Sequence, residues 1–261
     1  MRVLEGGMEQ EKRKTAFVTG AARRIGRAIA RELAFRGWDI VLHFHRSRAE
    51  AEALAMEIQA MGRKTCLLSA DLSQEMQVTG LIAAAVGQMG TIGLLVNNAS
   101  VFYMDRAKDH SRASWDDHLE TNLRAPLVLA QHFAAQAKPG ASIINLLDQR
   151  VLKPTPYFFS YSIAKAALWH ATRMLALALA PDIRVNAIGP GPTLPSPKQS
   201  AEQFAEHCRA MPLGRGATPQ EIAATVCFLV DTPSITGQII TLDGGEHLGW
   251  QVPRKGYMPR E

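Results

Sequence analysis

The chain has 261 residues and a formal net charge of +5, enough length for one large α/β domain with a substantial core. Its basic residues are scattered, with no aromatic–basic stripe, so no nucleic-acid partner is expected and an anionic cofactor or substrate is the milder account of the charge. The three cysteines, Cys66, Cys208 and Cys227, suit neither a disulfide framework nor a metal site, and the lack of a ~20-residue apolar run or a secretory core points to a cytoplasmic chain with no membrane partner.

Residues 1–13 read as a flexible lead-in and 14–261 as a single domain. The stretch Thr15–Gly26 sets the pattern: an apolar strand to Thr19, a tight segment, then a helix from about Arg24 to Arg36 capped by Gly37. Strand, turn and helix form the context a dinucleotide fingerprint requires. Gly20 can take a positive φ and let backbone approach a ligand. Gly26 lets the helix lie close, and free N–H groups at the helix start suit a pyrophosphate. Gly20, Arg23, Arg24 and Ile25 are therefore candidate cofactor contacts. The spacing is TGxxxxxG, not GxGxxG, and an ordinary βα turn carrying cations is the alternative.

A second strand, Asp39–Phe44, ends in His45, Arg46 and Ser47. A site that prefers NAD places an acid here for the ribose hydroxyls. Arg46 and Ser47 can instead hydrogen-bond a 2′-phosphate, which a carboxylate would repel, so the expected cofactor is NADP(H); solvated surface cations are the alternative. A helix over Ala49–Met61 and a strand over Lys64–Ser69 follow, then Asp71 and Leu72. Asp71 either meets an adenine edge or, with Ser73, caps a helix that runs to about Gln88. After a strand at Leu94–Val96, Asn97, Asn98, Ala99 and Ser100 offer a polar passage beside a nicotinamide ribose, or only a turn.

Residues 101–114 read as irregular, and Trp115 to about Gln136 as one long helix that Pro126 bends or breaks. Asn122, inside it, either bonds a water or backbone group in support of Lys165 or is an irregularity beside the proline. A strand at Ser142–Leu147 leads to Asp148. The helix Ser160–Ala180 is apolar on most faces, which predicts burial in the core or at a subunit contact. Then come a strand at Ile183–Ile188, a mixed helix over Pro195–Met211 within a substrate-lid region of about 192–212, and a helix over Pro219–Val230. The last strand is Gln238–Leu242, and a tail, 247–261, can reach a neighbouring subunit. Alternating strands and helices predict a doubly wound parallel sheet with ligands at the strands' carboxyl ends.

The reaction chemistry is sharper. Tyr161 and Lys165 stand four apart, on one face of a helix. An ammonium near a phenol favours phenolate, so the tyrosine can donate a proton; a snorkelling lysine beside a core tyrosine is the alternative. Asp148 can converge on Tyr161 and accept ring or amine donors, or relay a proton if its pKa is raised; otherwise it caps the turn that follows.

Thr19-Gly20-Ala21 with Gly26, Asp71-Leu72, Asn97-Asn98-Ala99, Asn122, Tyr161-Ser162-Ile163-Ala164-Lys165, Asn186 with Pro190-Gly191, and Thr236-Gly237 with Asp243-Gly244-Gly245 occur in this order. By this set the chain resembles the short-chain dehydrogenase/reductase family over about 14–245. The resemblance implies a Rossmann-like fold with a seven-stranded sheet, usually tetrameric and sometimes dimeric, and cofactor contacts at Pro190 and Gly191. It implies Tyr161 as proton donor, Lys165 as its partner and ribose ligand, and Asn122 as support for a relay water. Two departures, Arg24 for a glycine and Asp148 for the usual serine, resemble the pteridine reductase branch. That likeness implies Arg24 touching cofactor phosphate and pterin, Ser100 beside ring and cofactor, Phe102 stacked on the pterin, and Asp148 working with the tyrosine. The expected activity is hydride transfer from NADPH to a C=N bond of a pterin or dihydropterin/folate. The alternatives are an NADPH-dependent carbonyl or 3-keto-acyl reductase and a non-catalytic NADP-binding scaffold.

Overall fold

The structure, a computed structural model, describes residues 14–196 and 199–249. The lead-in, most of the tail, and Pro197 and Lys198 of the lid region lie outside the described residues. Alternating elements produce seven parallel strands: β1 (Thr15–Val18), β2 (Asp39–Phe44), β3 (Thr65–Ser69), β4 (Leu94–Asn97), β5 (Ala141–Leu146), β6 (Ile183–Pro190) and β7 (Ile239–Leu242). They lie in the order β3-β2-β1-β4-β5-β6-β7, a Rossmann-like doubly wound sheet. Strands covered on both faces read as near-continuous apolar runs, and β1, β2, β4 and β5 are buried along their length.

The pleat sends alternate side chains into two cores. Ala16, Val18, Ile40 and Leu42 pack with helices α1 (Arg24–Phe35), α2 (Arg48–Ala60) and α9 (Pro219–Asp231). Phe17, Val41, Leu95 and Ile143 pack with α4 (Leu81–Met89) and α6 (Ala125–Gln136) on the other face. The chain order reverses where β1 lies between β2 and β4, and ligands of such sheets bind in the crevice outside that point.

Three expectations need correction. The helix expected to run to about Gln88 is split into α3 (Glu75–Val78) and α4 by Gly80, and neither Asp71 nor Ser73 caps it: the N-cap is Gln74. The long helix to Gln136 is three pieces: α5 (Arg112–Leu119), a π-helical turn (Glu120–Arg124) and α6. Pro126 sits in the first turn of α6, where a missing N–H costs least; the disturbance lies upstream, in the turn that holds Asn122. Strand β5 stops at Leu146, so Asp148 opens a 3₁₀ turn, Gln149–Val151. The apolar helix α7 (Phe159–Ala178) buries one face, Tyr161, Ala164, Lys165, Leu168, Thr172 and Ala176, while Met174 and Leu177 are exposed. The mixed helix of the lid region is α8 (Ala201–Arg209).

Candidate active site

The turn after β1 is fixed from two sides. Gly20 has φ +61°, and its N–H donates to His43 Nδ1 at 3.2 Å. A Cβ on Gly26 would run into the Gly20 carbonyl and the Asn98 amide. Thr19 Oγ1 accepts the N–H groups of Asn98 and Ala99, each at 2.9 Å, and Asn98 Nδ2 donates to the Thr19 carbonyl at 2.8 Å. The turn and the end of β4 are thereby one unit. Arg24 is also left-handed, at φ +52°, a conformation that costs a residue with a Cβ ~1–2 kcal/mol. Its guanidinium donates to the carbonyls of Leu194 and Pro195 at 3.1–3.3 Å. The start of α1 has no side-chain cap and no acid in its first turn, which leaves its amides to an anion.

Two cavities open here. The larger, about 550 Å³, passes Gly20, Arg23, Arg24, Ile25, His45, Arg46, Ser47, Asp71, Leu72, Asn98, Ala99 and Ser100. At its lip His45 and Arg46 are exposed beside the buried Ser47, and the Asp71 carboxylate comes within 3.7 Å of His45 Nε2. Burial pushes the Asp71 carboxyl up, but two hydrogen bonds from Ser73, with His45 and Arg46 nearby, hold it below its ordinary value. Asn97 turns away: it donates to Asn145, which donates to Thr172, in a buried chain behind the site.

The smaller cavity, about 290 Å³, is lined by Phe102, Asp148, Tyr161, Lys165, Pro190 and Gly191, with Leu194 from the loop after β6 and Phe204 and His207 from α8. Arg24, Ile25, Asn98 and Ser100 line both cavities. The Tyr161 hydroxyl donates to Asp148 Oδ2 at 3.0 Å. Asp148 also receives the Arg150 N–H, so the turn-capping reading holds beside the convergence on Tyr161. The Lys165 ammonium lies 5.8 Å from the Tyr161 ring centroid and donates to the Leu146 carbonyl at 2.7 Å. Burial pulls its pKa down to about 8, although Asp148 pulls the other way. Phe102 stacks on Phe158 at 4.4 Å and meets Tyr161 edge-on at 4.7 Å. Asn122 lines neither cavity. Its side chain accepts from Val101 N and Ser100 Oγ and donates to the Val101 carbonyl, so it braces the Ser100 segment and does not bond Lys165.

Three features were not singled out from the sequence. His43 is buried, takes the Gly20 N–H on Nδ1 and therefore donates from Nε2 to the Ala70 carbonyl; burial lowers its pKa to about 4. His118 accepts the Tyr103 N–H on Nε2, so its Nδ1–H donates to Ser160, whose hydroxyl donates to Asp105. Arg150 pairs with Asp148 at 3.1 Å. A histidine inside an apolar strand signals the first; nothing in the spacing signals the other two.

Residues 20–247 match the family described as Enoyl-(Acyl carrier protein) reductase. Among solved structures, the fold is similar to FolM, alternative dihydrofolate reductase 1, of Brucella canis complexed with NADP: TM-score 0.89 and 45% identity, over 92% of this chain and 96% of that one. An uncharacterized oxidoreductase of Methylorubrum extorquens is 36% identical over 91% of this chain and 99% of its own. The 3-oxoacyl-[acyl-carrier-protein] reductase FabG of Staphylococcus aureus is 32% identical, over 90% and 98%.

Proposed function

The chain belongs to the short-chain dehydrogenase/reductase family, and from that premise we propose that it is an NADPH-dependent reductase of a C=N bond in a pterin or dihydropterin/folate. The observation that carries this reading is the contact of the Tyr161 hydroxyl with a carboxylate, Asp148, in a cavity walled by Phe102. A carboxylate accepts the N–H donors of a pterin ring and would repel a developing alkoxide. The likeness to FolM, 45% identical over the aligned residues, supports the same reading.

The larger cavity fits a phosphorylated dinucleotide: the Gly20–Gly26 cradle admits no Cβ at its close approach, α1 leaves amides free, and cations stand at the lip. Arg46, Ser47 and His45 would hold the 2′-phosphate, Asp71 and Leu72 the adenine side, Arg23, Arg24 and Ile25 the pyrophosphate, and Asn98, Ala99, Ser100, Pro190 and Gly191 the nicotinamide end. When bound, NADPH supplies the hydride. Tyr161 supplies the proton to the adjacent ring nitrogen, and Lys165 stabilises the tyrosinate and reaches the ribose. Asp148 orients the ring, Arg24 and Ser100 bind its edge, and Phe102 covers its face. Asn122 acts at one remove, by fixing Ser100. The reading keeps the cytoplasmic location and the homotetramer, or homodimer, expected from the sequence; the exposed Met174 and Leu177 of α7 are surfaces a neighbour would cover.

Steady-state assays with NADPH and dihydrobiopterin, dihydrofolate or a simple ketone test the proposal. Turnover of the pterins is expected. Turnover of the ketone alone would replace it with the carbonyl-reductase reading that the likeness to FabG favours.

A further inference from the structure

Arg150 has no task in the chemistry above, yet it touches two of its parts. Asp148 Oδ1 accepts the Arg150 backbone N–H at 2.8 Å, and Oδ2 accepts both Arg150 Nη1 at 3.1 Å and the Tyr161 hydroxyl at 3.0 Å. The two charged side chains are 17% and 12% exposed, so the pair is largely withdrawn from water. The guanidinium carbon also lies 5.0 Å from the Phe158 ring centroid and 5.6 Å from that of Phe102. One half-buried cation thus contacts the carboxylate that receives the tyrosine's hydrogen bond and the aromatic pair that walls the smaller cavity.

We infer that Arg150 is a positioning residue for the reaction: it locks Asp148 and Phe102 into one rigid rim against which the substrate ring is held. The inference rests on the reading that Asp148 and Tyr161 face the substrate. A carboxylate held by one backbone amide and one hydroxyl keeps freedom to rotate; a planar guanidinium removes it and stacks on aromatic faces in the same pose. Lys165, the other cation near Asp148, donates to the Leu146 carbonyl and is not ion-paired with Asp148, whereas Arg150 is, so the fork of Arg150 performs this task. Deleting one member of a shielded charge pair leaves the other uncompensated, and misplacement of a reacting edge is costly in rate.

The test is a double-mutant cycle with Arg150→Met and Asp148→Asn, read on whichever substrate the native enzyme turns over, with NADPH affinity by fluorescence titration and melting temperature alongside. Arg150→Met is expected to lower kcat/KM by about tenfold or more, with NADPH affinity changed less than about twofold. In the Asp148→Asn background the same change should cost less than about twofold, because the two residues act as a unit. Arg150→Lys, which keeps the charge and loses the fork, should recover part of the rate; it also serves as the arm of the cycle if Arg150→Met does not fold. An equal loss in both backgrounds, a native rate in Arg150→Met, or a loss confined to NADPH affinity would overturn the assignment. Turnover of ketones alone would remove the pterin reading and leave the cycle readable.

Discussion

Lys165 illustrates how one residue sets opposite pH trends in stability and rate. Its folded pKa of about 8 lies below its ordinary 10.5. Between those values the unfolded chain holds a proton that the folded chain lacks, so this residue's contribution to stability rises with pH by ~1.4 kcal/mol per unit and is lost as pH falls through about 8. On the proposed mechanism, the ammonium that would support a tyrosinate disappears over the same interval. Rate is therefore expected to fall above about pH 8 while denaturation midpoints rise relative to Lys165→Met, whose stability lacks that slope; parallel titrations of kcat and of urea unfolding check both. Arg46 gives a cleaner selectivity test. Arg46→Ala should weaken NADPH by about tenfold and leave NADH within about twofold, since a lost phosphate partner matters only where a phosphate exists. Equal losses in titrations with the two nucleotides would refute the phosphate assignment. The sequence alone brings both residues to the cavities they line, because a cation directly after β2 and a lysine one turn after a tyrosine are fixed by their spacing.

Elements were legible in proportion to how far local rules governed them. The strands followed from apolar runs, α1 from its periodic run with Gly37 past its end, and α2 from its alanine and glutamate content with Gly62 past its end. The break between α5 and α6 and the docking of residues 102–118 on α7 were not legible, because contacts distant in sequence set them. Asp105 accepts Ser160 N at 3.1 Å, the Ser160 hydroxyl, and Ser114 Oγ at 3.2 Å. Ser160 takes the hydrogen of His118, which in turn fixes the Tyr103 amide. No spacing rule joins residues 105, 118 and 160, and the π-helical turn that separates α5 from α6 has no composition of its own. This chain of bonds clamps the strip carrying Phe102 onto α7. Asp105→Ala should thus destabilise the fold by ~3 kcal/mol, as it strands buried donors. It should also raise KM for the ring substrate more than it lowers NADPH affinity; urea unfolding and a KM-against-kcat comparison read the two effects.

At the scale of the whole molecule, alternation of strand and helix was enough to give the parallel sheet, and the reversal of chain order at β1 placed both cavities. What escaped the sequence was how residues 194 and 195 are held beside the turn after β1, since the carbonyls that Arg24 grips are ones any residue could supply. The four residues common to both cavities, Arg24, Ile25, Asn98 and Ser100, carry a kinetic implication. A compartment whose dividing wall is shared stays unfinished until its neighbour is filled, so nucleotide should enter first and leave last. NADP⁺ should compete with NADPH, and the reduced product should inhibit noncompetitively against it; a random-order pattern would contradict this. Inhibitors shaped for the smaller compartment alone would then owe their apparent potency to how fully the enzyme is charged with nucleotide, and screens run without it would miss them.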